Sequence, residues 1–348
     1  MTERDTDLVV AVTGPTGTFG HGLVPLLEAD DRVASIVGIA RRPFDPAEHG
    51  WTKMAYRRGD VRDPDALARA FAGADVVVHL AFLVMAARSA AETRAVNVDG
   101  TLNALRAAAA AGARRFVYAS SVAAYGFHPD NPVGMTEDWP TRPAAHLGYA
   151  REKAELEHLL TREAAAHPSV DLYLLRPSIV LGPHTIGAKQ LVSGPLAPLA
   201  RRLGHLAARV ARSRVRVPAP VPALPVQFVH EDDVGQAFVQ CIVGAGPPGA
   251  YNLAGDGVLS GTEVARELGL RPLPVPAGLA RSTARAVSGL PKLPFVPPTG
   301  WAEAMTHPAV MDTTKAKRDL GWQPRYTGLE ALRATVAPAA PGTRRPGP

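Results

Sequence analysis

The 348-residue sequence predicts an α/β protein with a doubly wound parallel sheet and a smaller C-terminal lobe. Three observations carry this expectation. Short, unbroken apolar runs fill the first half, and such runs suit strands covered on both faces. Helix-forming stretches separate them, and strand–helix alternation requires parallel pairing through crossovers. The first apolar run also leads straight into a glycine-rich turn and then an apolar helix start.

In chain order the strands are LVVAV (8–12), VASIVGIA (33–40), MAYRRGD (54–60), VVVHLA (76–81), RFVYAS (115–120) and VDLYLLR (170–176). Helical segments lie at 92–112 and 148–166. Residues 1–7 read as a flexible N-terminus and 8–181 as a Rossmann-type dinucleotide-binding unit. After 182 the alternation degrades, and proline-rich VPAPVPALP (217–225) and RPLPVPAG (271–278) interrupt it. Residues 182–336 therefore form mainly a substrate-binding lobe, with about 226–256 returning to the core. The tail 337–348, ending PAAPGTRRPGP, reads as disordered.

Composition bounds the function. Apolar residues make up 46% and charged residues 20%, an ordinary globular balance. The single cysteine, Cys241, permits no intrachain disulfide and reads as an apolar filler. No apolar run reaches membrane-spanning length, and MTERDTD is too polar for a signal peptide, so a cytoplasmic protein is expected. The formal charge is +6, part of it concentrated in 201–216 as Arg201, Arg202, Arg209, Arg212, Arg214 and Arg216. That stretch is either a solvated helix face or a contact for an anionic substrate group or membrane surface. Nucleic acid is not expected, because no aromatic platform or binding motif accompanies the arginines. No metal site is expected.

The turn TGPTGTFG (13–20) spaces Gly14, Gly17 and Gly20 three apart, with Thr16, Thr18 and Phe19 between them. Glycines allow a tight turn and let backbone N–H groups approach a pyrophosphate at a helix N-terminus. His21, one residue on, reads as structural. The second strand ends in Ala40, Arg41 and Arg42, where a carboxylate would serve an unphosphorylated ribose. Two guanidiniums suit a 2′-phosphate, so NADP(H) is favoured over NAD(H). Asp60 and Val61 could contact adenine, Leu80 and Ala81 would form a close wall, and Pro177 follows the sixth strand. His79 reads as a satisfied core residue.

Tyr149 and Lys153, four apart in LGYAREKAE, share one helix face. Ser120 and Ser121 end the fifth strand, and Asn97 lies on an earlier helix. With these in place the chain resembles the extended short-chain dehydrogenases/reductases, also called the NAD-dependent epimerase/dehydratase family. The resemblance rests on the glycine turn, GDVRD, HLA, VNVDGT, SSVAAYG, YAREK, LLRPSIVLGP and FVHEDDV, and later on YNLAGDG and DTTKAKRDLGWQP (312–324). It implies that Tyr149 is the general acid or base for a carbonyl or alcohol. A free tyrosine ionises near pH ~10, and the resemblance implies that Lys153 and the nicotinamide charge lower that value. Lys153 would also hold the nicotinamide ribose, Ser121 would orient the substrate oxygen, and Asn97 would support the helix or a water relay. Ser120, Tyr149 and Lys153 are further expected to line the cofactor.

Family members differ in added groups. Sugar 4,6-dehydratases carry Asp-Glu after the catalytic hydroxyl, where this chain has Val122 and Ala123. NDP-sugar epimerases show a glycine–glutamine–arginine stretch before the FVH-like motif, where this chain reads VPAPVPALPVQF with Gln227 as its polar group. HLA continues as FLVMAA, so the pocket walls read as apolar. The leading expectation is an NAD(P)(H)-dependent oxidoreductase for a carbonyl or secondary alcohol of a mainly apolar small molecule. An NDP-sugar epimerase and a non-catalytic dinucleotide-binding sensor are the alternatives. The segments 92–112 and 148–166 could also pair two copies through a four-helix interface.

Overall fold

The computed structural model describes residues 6–84, 89–144, 147–185, 218–276, 278–279 and 307–336. The arginine-rich stretch 201–216, the tail 337–348, residues 1–5 and the end of FLVMAA lie outside the described residues.

The six apolar runs become β1 (Leu8–Thr13), β2 (Val33–Ala40), β3 (Met54–Arg58), β4 (Val76–His79), β5 (Arg115–Ala119) and β6 (Asp171–Pro177). Short strands follow: β7 (Ile179–Leu181), β8 (Pro218–Pro222), β9 (Pro225–Val226) and β10 (Phe228–His230). Then come β11 (Gly249–Leu253), β12 (Leu259–Ser260) and β13 (Arg271–Val275). The helices are α1 (Thr18–Ala29), α2 (Pro64–Phe71), α3 (Ala90–Arg94), α4 (Gly100–Ala110), α5 (Gly148–Ala165), α6 (Glu231–Ile242), α7 (Gly261–Glu267), α8 (Thr314–Asp319) and α9 (Gly328–Val336).

Seven strands form one parallel sheet in the order β11-β6-β5-β4-β1-β2-β3. The winding direction reverses between β1 and β4, which opens a crevice at their carboxyl ends. Alternate side chains fill two cores. Val10, Val12, Val76 and Val78 pack with Leu23, Leu27, Phe238 and Ile242 under α1 and α6. Ala11, Val77, Phe116 and Tyr118 pack with Phe71, Leu105 and Leu156 under α2, α4 and α5. Burying each large apolar side chain contributes roughly 1.5–3 kcal/mol. α1 and α6 meet at glycines: a Cβ on Gly22 would lie 2.5 Å from the Glu231 carbonyl oxygen. β11 joins the sheet at its edge by pairing with β6, while β10 pairs with β7 in a separate two-stranded ladder.

Two expectations need correction. The helix over 92–112 is interrupted: α3 gives way to a π-helical turn, Ala95–Asp99, before α4 begins. Nor do the proline-rich segments simply interrupt structure, since β8 pairs in parallel with β13. Pro218, Pro220 and Pro222 alternate with Ala219 and Val221, and Pro272 and Pro274 alternate with the other residues of β13. In a parallel ladder alternate residues supply the N–H groups, so prolines in one phase are tolerated. Among the described residues no helix is long and apolar enough to cross a membrane.

Candidate active site

The glycine turn is dictated by close contacts. Gly14 has φ +68°, and a Cβ there would lie 3.0 Å from the Cα and N of Ala81. The end of β4 is thus pressed against the turn, and Thr13 Oγ1 accepts 3.2 Å hydrogen bonds from the N–H groups of Leu80 and Ala81. A Cβ on Gly20 would stand 1.9 Å from the Pro15 carbonyl oxygen. Gly17 caps α1 in an extended conformation with no side-chain hydrogen bond, and the first turn holds no acidic residue. The leading N–H groups are therefore available to an anion, with the helix dipole favouring one. These residues fit a dinucleotide pyrophosphate. The side chain of Phe19 packs toward the core, 6.1 Å between ring centroids from Phe238, leaving its backbone for that role.

At the other end of the crevice Arg41 and Arg42 are exposed just past β2. Their backbone is tethered: Arg58 Nε donates to the Arg41 carbonyl at 3.0 Å, and the Tyr56 hydroxyl donates to that of Arg42. Asp60, expected to contact adenine, is paired with Arg62. Arg62 holds its carboxylate through Nε at 3.0 Å and Nη2 at 2.7 Å, which keeps Asp60 below the usual carboxylate range. The Val61 side chain is buried, and a Cβ on Gly100 would lie 2.5 Å from its Cγ2.

Ser121, Tyr149 and Lys153 do come together. Ser121 caps a 3-10 turn, Val122–Tyr125, by accepting from the Ala123 N–H at 3.1 Å, and it stands near enough to Tyr149 to draw the phenol's pKa down. Tyr149 is half-buried at the start of α5. Lys153 is buried one turn on; its Nζ donates to the Ala119 carbonyl at 2.6 Å and to the Tyr118 hydroxyl at 3.0 Å. Burial pulls the Lys153 ammonium down to about 7, opposed by the charges of Glu157 and Glu152. Burial pushes the Tyr149 hydroxyl up, and the neighbouring Ser121 draws it down. In the protein alone this differs from the expected lowering by Lys153, whose Nζ stands 5.9 Å from the Tyr149 ring centre.

The remaining expected residues take supporting positions. Asn97, in the π turn, accepts from the Leu83 N–H at 2.8 Å and donates to the Leu83 carbonyl at 3.1 Å and Glu152 Oε2 at 2.8 Å. Ser120 turns inward and donates to Glu157 Oε1 at 2.5 Å, so its hydroxyl is committed to the core. Pro177 is buried at the end of β6. His79 lies between Thr13 at 2.9 Å and Thr101 at 3.0 Å, and burial pulls it down to about 3, so it is a neutral core residue. His21 stacks on His184 with 5.5 Å between ring centres.

Four residues escaped the sequence reading. Phe82 lies over Lys153, and Tyr118 accepts from it. Glu157 is buried in an ion pair with Arg176, 2.5 Å between Oε2 and Nη2. The signals were present: Glu157 is four residues past Lys153, and Arg176 is a charge inside an apolar strand.

Comparison with known proteins gives this arrangement its place. An uncharacterized protein of Mycobacterium tuberculosis is 27% identical over 338 residues, covering 93% of this chain and 82% of its own. A UDP-glucose 4-epimerase of Streptomyces lividans is 36% identical over 165 residues, 45% of this chain and 47% of that one. The crystal structure of the Bordetella bronchiseptica enzyme WbmG in complex with NAD superposes with a TM-score of 0.67 at 21% identity, covering 96% of this chain and 94% of the other. The model of the NAD dependent epimerase/dehydratase family matches residues 10–254, and the chain belongs to that family.

Proposed function

We propose that this protein is an NADP(H)-dependent oxidoreductase that reduces a carbonyl, or oxidises a secondary alcohol, of a mainly apolar small molecule. The observation that carries the reading is the grouping of Ser121 and Tyr149 beside buried Lys153, whose Nζ stands 5.9 Å from the Tyr149 ring centre, with the Phe82 ring set edge-on to Tyr149 at 5.6 Å. Proton-transfer groups there meet an apolar wall. Val84, at 53%, and Ile179, at 45%, also expose apolar surface just past β4 and β6.

A nicotinamide held along the crevice supplies hydride in reduction and accepts it in oxidation. Gly14, Gly17 and Gly20 with the start of α1 would hold its pyrophosphate. Arg41 and Arg42 would hold a 2′-phosphate, as charge-assisted forked contacts. Lys153 would reach its ribose. Ser121 orients the substrate oxygen, and Tyr149 donates its hydroxyl proton to that oxygen as negative charge develops. A raised tyrosine pKa keeps that proton in place at neutral pH, which suits the reducing direction. Val122 and Ala123 offer no carboxylate for elimination.

A second reading, NDP-sugar epimerisation with retained NAD, is favoured by the Streptomyces lividans relative. We also infer a homodimer through α4 and α5. Arg106 and Glu163 tie these helices together at 2.8 Å, setting them side by side for a four-helix contact. A panel of apolar cyclic ketones and UDP- and dTDP-sugars separates the two reactions. Stoichiometric loss of NADPH absorbance with ketones, and no sugar turnover, is expected. Interconversion of a nucleotide sugar without net NADPH loss would overturn the proposal.

A further inference from the structure

We propose that Phe82 is a positioning residue for Lys153: its ring seats the ammonium against Tyr118 and the Ala119 carbonyl, and Asn97 holds the ring there by gripping Leu83. The proposal rests on the reading of Lys153 as a functional group, but its geometry does not depend on the substrate. Lys153 Nζ stands 3.7 Å from the Phe82 ring centre, well within cation–π range, and 4.6 Å from that of Tyr118. The ammonium has two hydrogen-bond acceptors, Tyr118 and Ala119, and the negative face of the Phe82 ring lies against it.

Phe82 lies three residues past β4, and residues 80–84 there form no helix or strand. The Asn97 amide fixes the next residue by pairing with both backbone polar groups of Leu83, and its second N–H reaches Glu152 on α5. Asn97 can do this because it sits in a π-helical turn, a feature frequent at functional sites. The ring, the loop and α5 are thus tied around one lysine. An aliphatic side chain at 82 would still exclude water but would offer no quadrupole to the charge.

The groups that bear on Lys153 come from every neighbouring element: His79 on β4, Tyr118 on β5, and Tyr149, Glu152 and Glu157 on α5. Arg176 on β6 neutralises Glu157 from behind through paired hydrogen bonds. Burial already draws Lys153 toward neutrality, so the ring interaction falls where the titration can report it.

The test is the titration of Lys153 in the protein alone, followed by the 13Cε shift of labelled lysine. Only six lysines are present, and Lys153→Met assigns the resonance. Phe82 is replaced by a graded series of fluorinated phenylalanines, which keep ring shape while weakening the quadrupole, and by Leu and Tyr. The Lys153 pKa is expected to fall stepwise with fluorination and by about one pH unit with Phe82→Leu, and to be kept by Phe82→Tyr. The effect of Asn97→Ala should shrink when position 82 is leucine, what is left coming through Glu152. A pKa unmoved along the fluorinated series would overturn the proposal, and an undiminished Asn97→Ala effect beside leucine would overturn the clamp. Neither result bears on the substrate panel, so the two readings fail separately.

Discussion

Lys153→Met should make the protein more stable near neutral pH while abolishing its activity. Lys153 is 3% exposed, and burial pulls its pKa from 10.5 to about 7. Below pH 7 the lysine is charged in both folded and unfolded chains, and the folded state carries the whole penalty. Between 7 and 10.5 the unfolded chain binds more protons, so the parent gains stability as pH rises. Above 10.5 both forms are neutral and the penalty is gone. At 1.36 kcal/mol per unit, the penalty is about 5 kcal/mol at pH 6 and about 2 kcal/mol at pH 9. Methionine removes it but leaves the Ala119 carbonyl and Tyr118 hydroxyl without their donor, at roughly 1–3 kcal/mol. That second contribution does not titrate across this range. The stability difference between variant and parent should therefore shrink by about 3 kcal/mol from pH 6 to pH 9. Urea denaturation of both proteins at the two pH values measures it. A difference that is the same at both would refute the depressed lysine.

Arg41→Ala combined with Arg42→Ala should weaken NADPH binding by ten-fold or more, on the order of 1.5–3 kcal/mol for hydrogen bonds to a charged group, and leave NADH little changed. Fluorescence titration checks this, and equal parent affinities for the two cofactors would make the arginines bystanders. Gly20→Ala should abolish measurable dinucleotide binding, because its Cβ would meet the Pro15 carbonyl at 1.9 Å and spread the turn. Tight NADPH binding by that variant would refute the assignment of the turn.

The sheet was legible because its signal is local. Each of the first six strands is a run of apolar residues, and the observed bounds fall within a few positions of the runs. The Ser121–Tyr149–Lys153 grouping was legible through its motifs, and packing then brought the three together. What escaped depends on contacts far apart in sequence. The pairing of Asp60 with Arg62 is a contact that no motif announces. The hydrogen bond from the Ser120 hydroxyl to Glu157 is another. Phe82 read as one more apolar residue of FLVMAA, and only the Asn97 clamp sets it over Lys153. The prolines of β8 and β13 read as breaks because their partner strand lies about fifty residues away.

Tyr149→Phe tests the central claim most directly. The phenyl ring keeps its edge-on packing against Phe82 and loses only the hydroxyl. Single-turnover reduction of the best ketone of the panel should slow by about 10²–10⁴-fold, the usual contribution of a positioned general acid, while NADPH affinity stays within about two-fold. Turnover equal to that of the parent would contradict the account.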